Sequence, residues 1–94
     1  MRTVKYFSYR GDHLSGKGST SHPTIDAALC SRVIMMAHNA KERGEKEITF
    51  RYSITGAVAR VPMPHIKVVK SDSSGTTYEI TMSDKSWRKL GAHV

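Results

Sequence analysis

The cleanest pattern in the chain lies at residues 47–54, where Ile48, Phe50, Tyr52 and Ile54 alternate with Glu47, Thr49, Arg51 and Ser53. An apolar side chain at every second position marks a strand with one buried face, because successive side chains on a pleated backbone point to opposite sides. Upstream the period lengthens. Ile25, Leu29, Val33, Met36 and Ala40 recur at helical spacing, flanked by Ala28, Arg32 and Ala37. Thr24 offers an N-cap hydroxyl and Asp26 a carboxylate in the positive first turn, while Lys41 and Arg43 suit the negative end and Gly44 a left-handed stop. These signals predict a helix from about Thr24 to Arg43.

Residues Arg2 to Arg10 are rich in aromatic and β-branched types and predict a first strand, with imperfect alternation. Gly11 to Pro23 reads as a mobile glycine- and serine-rich loop. Beyond the helix and the strand at 47–54, Thr55-Gly56 turns the chain into a weaker strand at Ala57–Val61, ended by Pro62-Met63-Pro64. Ile66–Lys70 and Thr76–Ser83 form a hairpin about the polar link Ser71–Gly75, with Tyr78, Ile80 and Met82 on one face. The tail from Asp84 to Val94 reads either as a helical turn laying Trp87 and Leu90 on the body or as a frayed end.

Strand, helix and four further strands predict an α+β fold in one domain spanning residues 1–94: one amphipathic helix packed on an antiparallel sheet of four to five strands, order β-α-β-β-β-β. The uncovered face would carry Thr49, Arg51, Lys67, Thr77, Glu79 and Thr81. The order of elements is similar to that of cystatin-like rolls. That likeness is one of topology, with no inhibitory loop motif to carry over, and fold does not imply function.

Composition narrows the chemistry. The 94 residues suffice for one core, and 38% apolar with 24% charged residues is the balance of a globular chain. Net charge is +7, from eight cations against five carboxylates over residues 1–47 and seven against three over 48–94. The basicity thus belongs to the whole domain, with no separate basic tail. Cys30 is the only cysteine, so no intramolecular disulfide forms, and its place in the apolar helical stripe predicts a buried small hydrophobe. The start, MRTVKYFSYRGD, has no leader-like apolar region, and no apolar run approaches the roughly 20 residues a membrane span needs. The expectation is a soluble cytoplasmic protein with no membrane contact.

The distribution of charge is more telling than its sum. Between Glu47 and Asp72 there is no carboxylate, whereas Arg51, Arg60, His65, Lys67 and Lys70 fall there. On strands, such cations gather on a sheet surface and attract polyanions or acidic protein surfaces. The expected main patch is Arg51, Arg60, Lys67 and Lys70, with Arg10, Lys17, Arg88 and Lys89 as outer contacts. Arg60 shares strand parity with Val58, which leaves open a position toward the helix. Aromatics interleave with cations at Lys5–Arg10, Arg51-Tyr52 and Trp87–Lys89, the arrangement by which single-strand binders stack bases and hold phosphates. The structural alternative is that these rings pack inward while their cationic neighbours face water.

Other chemistries find little support. Gly11–Gly18 resembles a phosphate-binding Walker loop between a strand and a helix, but Gly18 stands where the Ser or Thr hydroxyl for magnesium belongs, and the helix begins late, behind Pro23. His13, His22, His38, His65 and His93 lack ligand spacing, which predicts no metal site. Cys30 and His38 stand eight residues apart on one helix, about 12 Å along its axis, too far for a nucleophile–base pair. The carboxylates form no evident acid–base pair. The expected function is non-enzymatic and cofactor-free: a basic binding protein engaging nucleic acid or a nucleoprotein. The alternative is a protein-binding inhibitor or adaptor of the kind viruses and mobile elements deploy against host defence or nucleic-acid-processing complexes, docking on an acidic surface. Homodimerisation through an exposed strand edge, such as Ala57–Val61, is a third arrangement.

Overall fold

The computed structural model describes residues 1–12, 17–20, 25–52 and 54–91. In chain order the elements are β1 (Arg2–Asp12), β2 (Lys17–Thr20), α1 (Ile25–Glu42), β3 (Glu47–Arg51), β4 (Val58–Pro62), β5 (His65–Asp72), β6 (Gly75–Ser83) and α2 (Asp84–Gly91). The fold is α+β with antiparallel sheets, as the periodicities predict. It departs from the expected single sheet and single helix: the strands divide into a four-stranded sheet, β2-β1-β6-β5, and a separate ribbon, β3-β4.

α1 ends where the sequence places its stop. Gly44 takes a φ of 71°, the Glu45 amide bonds the Ala40 carbonyl at 2.8 Å, and the Gly44 amide bonds that of Lys41 at 3.0 Å. This pair of bonds satisfies carbonyls the last helical turn would otherwise leave open, and it needs a left-handed residue at Gly44. The buried side of α1 is formed by Leu29, Cys30, Val33, Ile34, Ala37 and Ala40. β3 alternates as predicted but stops at Arg51. Tyr52 and Ala57 then close the turn through a 3.0 Å amide bond, which leaves Ile54 in solvent.

The tail resolves in favour of a helix. Ser83 accepts a 3.1 Å bond from the Ser86 amide as N-cap of α2, and Asp84 adds negative charge to the first turn. Trp87 and Leu90 are buried, and the Trp87 indole donates to the Thr3 carbonyl at 2.9 Å. The Tyr52 hydroxyl donates to the Leu90 carbonyl, so α2 is tied to both sheets.

The expected loop at Gly11–Pro23 is partly a strand. β1 runs on to Asp12, and β2 pairs with it through Tyr9↔Thr20, Arg10↔Ser19, Gly11↔Gly18 and Asp12↔Lys17. The Walker-like stretch is thus the arms of a hairpin; its remainder, with His13, lies outside the described residues, as do His22, Pro23 and the expected N-cap Thr24. Inside, the core joins Phe7, Ile80 and Met82 of one sheet with Ile48, Phe50, Ala59 and Val61 of the ribbon, closed by the two helices.

Candidate functional site: the uncovered sheet face

Both helices lie on the same side of the four-stranded sheet. Phe7, Tyr78, Ile80 and Met82 point toward them, and Lys5, in register with Ile80, stands 5.4 Å over the Trp87 ring. The opposite face is covered by no described element. Its side chains follow from the register: Val4↔Thr81↔His65, Tyr6↔Glu79↔Lys67, and Ser8↔Thr77↔Lys70 form three rows across β1, β6 and β5, with Arg2 and Arg10 at the two ends of β1.

One irregularity decides the charge of this face. Lys67 and Lys70 are three residues apart and would point to opposite sides of a regular strand. The register of β5 shifts between Val68 and Lys70, so the extra residue, Val69, is absorbed in a bulge. Lys67 then pairs with Glu79 and Lys70 with Thr77, two positions of β6 that share the uncovered face. The bulge thus moves a cation from one side of the sheet to the other.

Tyr6 is the other unexpected feature. It is 63% exposed at the centre of the face, whereas its neighbours Phe7 and Tyr9 turn toward the core, their rings 6.0 Å apart. The Tyr6 hydroxyl donates to Glu79 at 3.2 Å, and that bond to a carboxylate raises the phenol pKa above 10.0. The interleaved aromatics therefore divide: Tyr6 is exposed, whereas Tyr52 and Trp87 are buried. The sequence gives no way to separate Tyr6 from Phe7, because adjacent aromatics carry no parity signal.

Beyond Tyr6, Ser8 and Thr77 share a 2.9 Å hydroxyl contact. They floor a hollow of about 230 Å³ whose wall includes Arg10, Lys70, Ser74 and Thr76. At its rim Asp72 accepts from the Ser74 amide at 2.8 Å and from the Ser74 hydroxyl, and lies 3.6 Å from the Lys70 ammonium. The Ser74 hydrogen bonds hold the Asp72 carboxyl below its ordinary 3.8, with a smaller contribution from Lys70. The chain closes against β1 here through Gly75, at φ 136°; a Cβ on it would stand 2.5 Å from the Tyr9 carbonyl oxygen. No side chain fits that approach.

The expected patch is thus divided. Lys67, Lys70 and Arg10 share the uncovered face. Arg51 and Arg60 belong to the ribbon, where both point away from the core, diagonal to each other through Thr49↔Arg60 and Arg51↔Val58. Arg60 therefore faces solvent with Val58, because Ala59 and Val61 supply the buried parity of β4. Thr49 and Arg51 likewise leave the expected face for the ribbon. Arg88 and Lys89 are exposed in the last turn of α2, on the helix side of the sheet. Lys17 occupies the register position opposite Asp12.

A further cation, Arg32, serves the fold. Its guanidinium lies 4.8 Å from the Phe50 ring centre and 5.5 Å from that of Tyr52, and it donates to the Arg51 carbonyl at 2.9 Å. Among the described residues no cluster of three or more His, Cys, Asp or Glu could hold a metal ion. Cys30 is buried and His38 exposed, its Nε2 3.8 Å from Glu42. No helix among the described residues is long and apolar enough to cross a membrane. Comparisons with protein-family models, curated proteins and solved structures found no match to this chain.

Proposed function

We propose that this protein is a small non-enzymatic module that binds nucleic acid, free or within a nucleoprotein, on the uncovered face of its four-stranded sheet. The observation that carries the reading is the exposed Tyr6 ring in a field of Lys67, Lys70, Arg10 and Arg2, where the described carboxylates are both engaged, Glu79 by Tyr6 and Asp72 by Ser74 and Lys70. An aromatic face accepts any unpaired base, and the surrounding cations hold its phosphates. A paired base has no free face to stack, so single strands are the preferred form. Arg51 and Arg60 raise the general attraction without touching the same stretch of strand.

Fluorescence anisotropy with labelled single-stranded DNA, RNA and duplex DNA tests this at two salt concentrations. The expected result is tighter binding of single strands, with a slope against log salt of about −2 for three phosphate contacts. Binding that favours duplex, or that survives Tyr6→Ala together with Lys67→Glu, would remove the face from the mechanism.

A second reading, a protein-binding adaptor or inhibitor, has an observation of its own. β5 is an edge strand, and its Val68 and Val69 are 51% and 43% exposed. An acidic extended segment could add to this edge, pairing its backbone and meeting the lysines. Lysines and a bulge on an edge oppose self-pairing, which weighs against a homodimer there. Protection of β5 amides from hydrogen exchange by a captured protein, with no protection by oligonucleotides, would favour this reading over the first.

A further inference from the structure

The hollow beside Ser8 and Thr77 is a concavity of the uncovered face with two cations in its wall. Arg10 reaches it from β1, and Lys70 reaches it because the bulge at Val69 reverses its side. Among the described residues no carboxylate lines it. Asp72, at the rim, is engaged by the Ser74 amide and hydroxyl and lies 3.6 Å from the Lys70 ammonium, a contact that a doubly charged ligand would compete for. The floor also has a proton to give. Two hydroxyls in mutual contact use only one of their two protons between them, so the second is free to donate to a ligand oxygen.

Two positive charges with hydroxyl donors match a phosphomonoester better than a phosphodiester. The monoester carries about −1.5 to −2 at neutral pH and has three terminal oxygens to receive hydrogen bonds. Arg10 can grip two of those oxygens in its planar fork, while Lys70 acts as a point charge. At the hairpin tip the Gly75 backbone lies close against the Tyr9 carbonyl, so no side chain at that position intrudes on the hollow. Tyr6 stands two residues from Ser8 on the same face of β1, about 7 Å away along the strand. That is within one nucleotide's reach.

We propose that the hollow is a phosphomonoester site that receives the terminal phosphate of a single strand whose end nucleotide stacks on Tyr6. This rests on the reading of the face as a single-strand surface, but the two can fail separately. The test compares one short single strand with a 5′-phosphate, a 3′-phosphate or hydroxyl ends, by anisotropy, on the wild type and on Arg10→Gln, Lys70→Gln, Tyr6→Ala and Lys41→Gln. The wild type should prefer one phosphorylated end by about tenfold. Arg10→Gln and Lys70→Gln should each bring the preference to within about twofold of unity, whereas Lys41→Gln, an equal loss of charge on α1, should keep it. Tyr6→Ala should weaken all strands and leave the ratio standing. Thermal melts of each variant control for folding.

Equal binding of all ends by the wild type would overturn the inference and leave the face intact. A preference that survives in Arg10→Gln and Lys70→Gln would overturn it too, by moving the phosphate elsewhere. If no strand binds, the reading of the face fails, and a titration with inorganic phosphate followed by amide NMR decides the hollow alone. Shifts at Ser74, Gly75 and Thr77 that vanish in Arg10→Gln would sustain a phosphate site, and their absence in the wild type would end it.

Discussion

The outer surfaces of the two sheets carry similar residues and differ in what those residues can do together. On the ribbon, Glu47, Thr49 and Arg51 face out beside Pro62, Arg60 and Val58, in strict alternation with buried neighbours. Each cation there has a single partner strand beside it. On the four-stranded sheet Lys67 and Lys70 look across β6 to β1, and the strand carrying them is irregular. Width places an aromatic, hydroxyls and cations within one field, and irregularity brings a concavity. Regular alternation anchors a strand to a core; a bulge at an edge turns side chains outward that alternation would have turned in.

The strongest test of that contrast is the buried side of the ribbon. Phe50 is 0% exposed beneath Arg32, and Phe50→Ala should cost about 3–5 kcal/mol of stability in urea denaturation. Tyr6→Ala, also an aromatic truncation on a strand, should leave the unfolding midpoint nearly unchanged while weakening single-strand binding about tenfold. Equal destabilisation by the two would erase the distinction between anchor and ligand surface. Next in size, Lys67→Glu with Lys70→Glu should lower single-strand affinity about 100-fold, whereas Arg51→Glu with Arg60→Glu should lower it by only about threefold through long-range attraction. A reversed order would transfer the site to the ribbon. Gly75→Ala should destabilise by about 1–3 kcal/mol through its backbone conformation and the Tyr9 approach, read by thermal unfolding.

The smallest effect is in acid. The carboxyl of Asp72 titrates below 3.8 in the folded chain, so its contribution to the hairpin tip is whole above 3.8 and fades as pH falls through the lowered value. Amide shifts at Ser74 followed by NMR should move in that acid window, and Asp72→Asn should remove the movement. A transition above 3.8 would contradict the assigned hydrogen bonds.

Much of this architecture could be read from the chain, for identifiable reasons. α1, β3 and the β5–β6 hairpin each carry a period or a turn signal contained within the element, and these are local facts. The division into two sheets could not be read, because alternation states that a face is buried without stating which strand lies alongside. β2 was hidden because Lys17-Gly18-Ser19-Thr20 has no apolar residue to reveal a face; it exists through pairing with β1. The site was legible in part. The carboxylate-free stretch singled out Lys67 and Lys70, yet their spacing assigns them to opposite sides unless the bulge is known. Arg10 appeared peripheral because its proximity to Lys70 arises from pairings between the two ends of the chain.

Those same pairings have a kinetic consequence. The central β1–β6 ladder joins Arg2 to Ser83 and Tyr9 to Thr76, closing a loop of most of the chain. The entropy of such closure is spent before the ladder returns any contact, and topologies ruled by distant pairings fold slowly for that reason. The β3–β4 and β5–β6 hairpins and α1 draw on near neighbours and should be structured first. Conservative truncations in the ribbon, such as Val61→Ala, should then slow refolding, while Thr3→Ser or Phe7→Leu in β1 should chiefly hasten unfolding. In the order of assembly, the uncovered face and its hollow come last, finished only when the first strand is set beside the sixth.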